Sequence, residues 1–126
     1  MYGIFVNDNG CVHYAILLSR GVKTIETRNR DMLSALVGKR VAIVRTHREK
    51  SPHIVGYVTI TRKEFCAAED FGKYENQHLV MPQSKYAPQN GRGKWFYFCE
   101  DAEACEAYPM PKNAVRHGRS WCEWEA

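Results

Sequence analysis

Gly21-Val22-Lys23-Thr24-Ile25-Glu26-Thr27-Arg28 joins a helical pattern to an extended one. Upstream, from Val12 to Ser19, the apolar residues Val12, Ala15, Ile16 and Leu18 fall at helical spacing. Gly21 stands just past Arg20, where a helix C-cap takes glycine. Downstream, the β-branched Thr24, Ile25 and Thr27 favour extended backbone. Side chains alternate on a strand, so Lys23, Ile25 and Thr27 are expected on one face and Thr24, Glu26 and Arg28 on the other. A short helix thus delivers the chain into a strand that carries three charges in six residues.

The flanks read mostly as strands. Tyr2 to Val6 is a short β-rich run that ends in the turn cluster Asn7-Asp8-Asn9-Gly10. After a loop or single helical turn over 32–36, Arg40-Val41-Ala42-Ile43-Val44-Arg45 is nearly continuous in apolar residues, the pattern of a strand buried on both faces. Ile54 to Ile60 is again β-rich, and its internal Gly56 predicts a bulge or bend. Arg62 to Ala68 is expected as a short helix. The polar stretch 70–92, with Pro82, Pro88, Asn90 and Gly91, is expected as a long functional loop or lid. Lys94 to Cys99 is the strongest strand signal, and Pro109 and Pro111 would break any helix begun near Asp101. Strands spread along the chain with few helices indicate a small mixed α+β barrel with peripheral helices.

A chain of 126 residues, with no internal repeat or linker, fits one domain over 1–126. Its apolar runs are too short for a membrane helix, and its start lacks the pattern of a signal peptide, so a cytoplasmic location is expected. The cysteines, Cys11, Cys66, Cys99, Cys105 and Cys122, are scattered and odd in number, which suits reduced thiols. No closely paired Cys/His set suggests a metal. The net charge of +4 is segregated: 20–63 holds eleven Lys/Arg against three acidic residues, and 64–106 four against eight. A basic first half can attract phosphates without regard to sequence. A solvated basic face would give the same count.

The segment Gly21 to Arg28 resembles the G-x-K-T-x-E-x-R signature of the ASCH family, which also follows a short helix. Tyr14-Ala15-Ile16-Leu17-Leu18 resembles the helix that leads into it, and Gly38-Lys39-Arg40-Val41-Ala42-Ile43 the next strand. Gly93-Lys94-Trp95-Phe96-Tyr97 resembles a late aromatic strand. The resemblance is strong over 12–61 and looser from 93 onward. It implies an α+β, PUA-like β-barrel of about five to six strands, shared with RNA-binding and modified-base-reading relatives such as YTH and EVE domains. RNA, or a nucleoside or nucleotide, is the implied partner, with no cofactor and no membrane.

In that setting Lys23, Glu26 and Arg28 are the leading binding residues. Arg28 can hold a phosphate or carboxylate with two hydrogen bonds, Lys23 offers a mobile cation, and Glu26 can accept from a base's amino edge. An internal Glu26–Arg28 salt bridge that only fixes the fold is the competing reading. Arg45, Tyr97, Arg119 and Trp121 complete the candidate surface, since basic residues suit phosphates and aromatic rings suit bases. One branch of the family resembles an amidohydrolase acting on 4-acetylcytidine through a lysine, a threonine and a distant glutamate. If this chain is an enzyme, Lys23, Thr24 and Glu26 are the catalytic candidates. That branch has its nucleophilic threonine where this chain has Glu26, and a carboxylate there would keep Lys23 protonated. Glu69 and Glu75 match the distant glutamate by order alone. Ribonuclease activity, implied by other members, could draw on Lys23, Glu26, His47 or His117. A protein-interaction module built on the 70–92 stretch is a third class.

Overall fold

The computed structural model describes residues 1–47 and 50–125. The elements run β1 (Tyr2–Asn7), α1 (Tyr14–Ser19), β2 (Ile25–Arg28), β3 (Arg40–Thr46), β4 (His53–Cys66), α2 (Glu75–His78), β5 (Lys94–Pro109), β6 (Val115–His117) and β7 (Trp121–Glu123). They form one seven-stranded sheet in the order β2-β5-β4-β3-β1-β7-β6. β1 and β3 are parallel, with Ile4 opposite Ile43, and the other pairs are antiparallel. A parallel pair needs a crossover; here it carries α1 and β2, so the signature segment lies within the connection that defines the topology. The α+β class holds, but the sheet is not the expected closed barrel: β2 and β6 are its edges.

β3 shows why the central run is apolar throughout. Val41 and Ile43 pack into the main core with Ile4, Leu18 and Ile25, while Ala42 and Val44 pack on the other face with Phe5, Ile54 and Cys122. β4 and β5 form a long coiled ribbon with register shifts at Ile54/Gly56, Tyr57/Thr59 and Ile60/Arg62. A Cβ on Gly56 would lie 2.5 Å from the Glu103 carbonyl oxygen and 2.6 Å from Ser19 Cβ, so only glycine lets ribbon and helix approach this closely. Such irregularities bend and twist a strand pair.

Three expectations are corrected. Arg62 to Cys66 is not a helix but the end of β4, because these residues pair one for one with Phe98 back to Lys94. β5 runs on through Asp101, at φ +53, to Pro109. The 70–92 stretch is no open lid: a 3-10 segment Ala68–Tyr74, α2 and a series of turns bury Phe71, His78, Val80 and Ala87. Among the described residues no helix is long and apolar enough to cross a membrane. The C-terminal hairpin β6–β7 turns at Gly118 (φ +62) and lays β7 against β1.

Candidate functional site

A cleft of about 220 Å³ opens where β1, β2, the start of β5, the 80–86 turns and the β6–β7 hairpin meet. The chain enters it at Lys23. Gly21 (φ +73) ends α1, and the amides of Val22 and Lys23 both donate to the Leu17 carbonyl, at 3.0 and 3.1 Å. Lys23 is therefore placed by the helix end and not by strand alternation. Thr24 is tied through its backbone, its N–H to the Gln77 carbonyl (2.9 Å) and its carbonyl to the Cys99 N–H (2.8 Å). β2 begins only at Ile25, which points into the core. Lys23, Glu26, Thr27 and Arg28 border the cleft, and Thr24 is not part of its lining.

The three charged residues form one network. Lys23 is 2% exposed; its Nζ donates to the His78 carbonyl at 2.6 Å, stands 3.6 Å from Glu26 Oε1 and lies over the Tyr14 ring at 5.0 Å. Arg28 Nη2 donates to Glu26 Oε2 at 2.9 Å and to the Phe5 carbonyl at 2.6 Å. The Glu26–Arg28 pair thus exists, and it forms within the cleft wall. Burial pulls the Lys23 pKa below its ordinary value, against the opposing pull of the Glu26 carboxylate. Burial and the carboxylate thus act on the lysine's protonation in opposite senses.

His78 supplies the carbonyl that holds Lys23, and its ring is fixed in turn. Val80 N–H donates to Nδ1 at 2.9 Å, so Nε2 carries the proton and donates to the Phe71 carbonyl at 2.8 Å. The ring stacks on Phe71 with centroids 4.0 Å apart. Burial lowers its pKa, as expected for an imidazole wedged neutral between aromatic and backbone groups. The 68–80 segment is therefore tied to the signature segment through the adjacent carbonyls of Gln77 and His78, and the His78 ring locks it internally.

A second buried lysine faces the cleft from β5. Lys94, 5% exposed, donates to Asn29 Oδ1, and burial alone lowers its pKa. Gly93 makes its position possible: a Cβ there would sit 2.2 Å from the Cys66 carbonyl oxygen. Arg119 reaches the cleft from the β6–β7 turn without a side-chain hydrogen bond or ion pair among the described residues. The lining carries four cationic side chains (Lys23, Arg28, Lys94, Arg119) against the single carboxylate of Glu26, with Tyr14, Tyr86, Phe5, Met32 and Val80 as less polar walls.

Neither a protein-family model nor a curated protein matches the sequence. Solved structures do match the fold. The crystal structure of ASCH from Zymomonas mobilis superposes with a TM-score of 0.68 at 16% identity, over 86% of this chain and 73% of that one. Its S128A mutant gives a TM-score of 0.73 at 15% identity, over 98% and 88%. The fold is of the ASCH type.

Within this ASCH-type fold the sequence-predicted residues divide. Lys23, Glu26, Arg28 and Arg119 converge on the cleft. Tyr97 does not: it is fully buried, its hydroxyl donates to Asp31 Oδ1 at 2.6 Å and accepts from Leu33 N–H at 3.2 Å, so it cannot stack on a ligand. Trp121 stacks on His117 (3.9 Å between centroids) and packs near Tyr2, anchoring the hairpin that carries Arg119. Arg45 is held by Asp8 through two hydrogen bonds, at 3.1 and 2.8 Å, outside the cleft lining. Its partner Asp8 lines an adjoining depression with Asn9, Thr46, His47 and Lys85, which shares Asn7 and Tyr86 with the cleft. Glu69 and Glu75 lie outside the cleft lining as well. Lys94, Tyr14 and Tyr86 were missed. Lys94 read only as the start of an aromatic strand, and nothing local distinguishes a buried lysine from a surface one.

Proposed function

We propose that the cleft binds one nucleoside or nucleotide unit, presented alone or within an RNA strand. The reading is carried by one observation: a carboxylate held between two cations, two further cations and two tyrosines border a single small cleft. Glu26 can accept from a base's amino group, the lysines and arginines can donate to carbonyl or phosphate oxygens, and tyrosine rings can flank a base. At about 220 Å³ the cleft is smaller than the roughly 300–1,000 Å³ of sites for drug-sized ligands, so one unit enters and the rest of a strand stays outside. The adjoining depression, with Lys85 and His47, offers a neighbouring nucleotide a path. Fluorescence anisotropy with short labelled RNAs tests this. Arg119→Ala should weaken binding and make its salt dependence shallower; RNA affinity unchanged in both Arg119→Ala and Arg28→Ala would reject the cleft as the site.

A small-hydrolase reading is favoured by one feature, the lowered pKa of Lys23, which brings its amine nearer to a usable base. The obstacle is the nucleophile. Glu26 occupies the position where a threonine would act, and Thr27, not Thr24, is the motif hydroxyl residue that borders the cleft. Incubation with 4-acetylcytidine and with labelled RNA decides between the two readings: turnover lost in Thr27→Val supports catalysis, and an absence of product beside measurable binding supports a reader.

A further inference from the structure

The two buried lysines of the cleft are not equivalent. Lys23 has a carboxylate at 3.6 Å and a carbonyl at 2.6 Å. Lys94 is buried nearly as deeply, yet its one hydrogen-bond partner is the neutral amide oxygen of Asn29, and no carboxylate pairs with it among the described residues. An ammonium has three donors. Two of them are left without an acceptor among the described residues, on a group whose burial is costly when its charge is uncompensated. Glu26 is shared by Lys23 and Arg28, so two of the three excess positive charges of the lining sit on Lys94 and Arg119, which no carboxylate pairs among the described residues.

We propose that Lys94, together with Arg119, is a phosphate subsite, and that the occupant of the cleft is therefore a phosphorylated nucleoside and not a free one. This rests on the nucleotide reading of the cleft. Glu26 and Lys94 both border the cleft; Glu26 lies opposite Tyr97 and Arg28 opposite Trp95, so the Lys94 backbone is three residues further along β5 from the Glu26 level. At about 3.3 Å per residue this backbone offset is roughly 10 Å, on the scale of the span from the hydrogen-bonding edge of a base to its 5′ phosphate. A nucleotide with its base at Glu26 and its phosphate at Lys94 fits that span. Asn29 fixes the amine, and the close approach of Gly93 to the Cys66 carbonyl fixes the backbone that carries it.

Titration calorimetry of the full chain with the four ribonucleosides, their 5′-monophosphates and a short oligoribonucleotide tests the assignment. At least one monophosphate should bind about tenfold or more tightly than its own nucleoside, the effect of a single charge-assisted hydrogen bond. Lys94→Met should collapse that ratio, and Lys94→Arg should retain most of it. Equal affinity of nucleoside and monophosphate in the wild-type protein, a comparison that needs no variant, would overturn the phosphate subsite and leave the nucleoside cleft standing. Binding of none of the three ligand classes would overturn the nucleotide reading itself. If only the oligoribonucleotide binds, the phosphate at Lys94 belongs to a strand, and Lys94→Met must then weaken it by a similar factor; unchanged oligonucleotide affinity would again reject the subsite.

Discussion

Glu26→Gln isolates the charge that holds the cleft together. The amide keeps the side chain's size and an oxygen that can accept from Arg28, but it leaves Lys23 buried with a carbonyl and no carboxylate. The cost has a ceiling. A lysine whose pKa is about 10.4 in the unfolded chain can be discharged at pH 7 for about 5 kcal/mol, so the variant cannot lose more than this through Lys23. Because burial already lowers the lysine's pKa in the wild-type protein, and the His78 carbonyl remains, the expected loss is about 3 kcal/mol, within the range for breaking one partner of a buried pair. Its pH dependence carries the distinctive sign. A folded state that keeps Lys23 neutral binds fewer protons than the unfolded state, so stability rises with pH until the unfolded lysine also deprotonates. The rise is steeper in the variant than in the wild type, where Glu26 retains the proton. Urea unfolding of both proteins at pH 7 and pH 9.5 should show the deficit shrinking at the higher pH. A deficit below about 1 kcal/mol at pH 7, or one that does not change with pH, would refute this account of the network.

Other consequences are open to simpler assays. His78 is held neutral, and burial depresses its folded pKa, so the unfolded state takes up a proton first as pH falls below about 6.5. Stability should therefore decline from that pH downward through the folded value, and urea midpoints of His78→Asn should lose most of this slope. Gly93→Ala forces a Cβ to 2.2 Å from a backbone oxygen and should destabilise by roughly 2 kcal/mol or more, whereas Gly72→Ala, with nothing within 4 Å, should leave the melting temperature nearly unchanged. Thiol titration of the native protein should modify exposed Cys11 first and spare Cys99, whose pKa burial pushes up to about 12; fast labelling of Cys99 would contradict the packing around β2 and β5.

Much of the fold was legible because its signals are local. The double-sided burial of β3 shows in Val41 to Val44, and the bend in β4 shows in Gly56, since each residue type is dictated by its own surroundings. Strand lengths were not legible. Arg62 to Cys66 carries mixed polar and apolar side chains that suit either helix or strand, and pairing with β5 decides it. The 70–92 stretch looked unstructured because its order comes from a few anchors, His78 above all, whose partners lie in its own backbone and at Lys23. At the site, Lys23, Glu26 and Arg28 were readable from their spacing, but which of them share a face was not. Alternation fails at Lys23 because the helix C-terminus, not the strand, sets its direction. Tyr97 misled for the opposite reason: an aromatic residue on a strand looks the same whether it awaits a ligand or fills the core.

The central claim is that the cleft between β1, β2 and β5 is where a nucleotide binds. Amide chemical-shift mapping of the full chain during titration with ribonucleotides and a short RNA tests it directly. The account predicts saturable shifts concentrated at Lys23, Glu26, Arg28, Asn29, Lys94 and Arg119. Saturable binding mapped to other surfaces, with these residues unmoved, would contradict it.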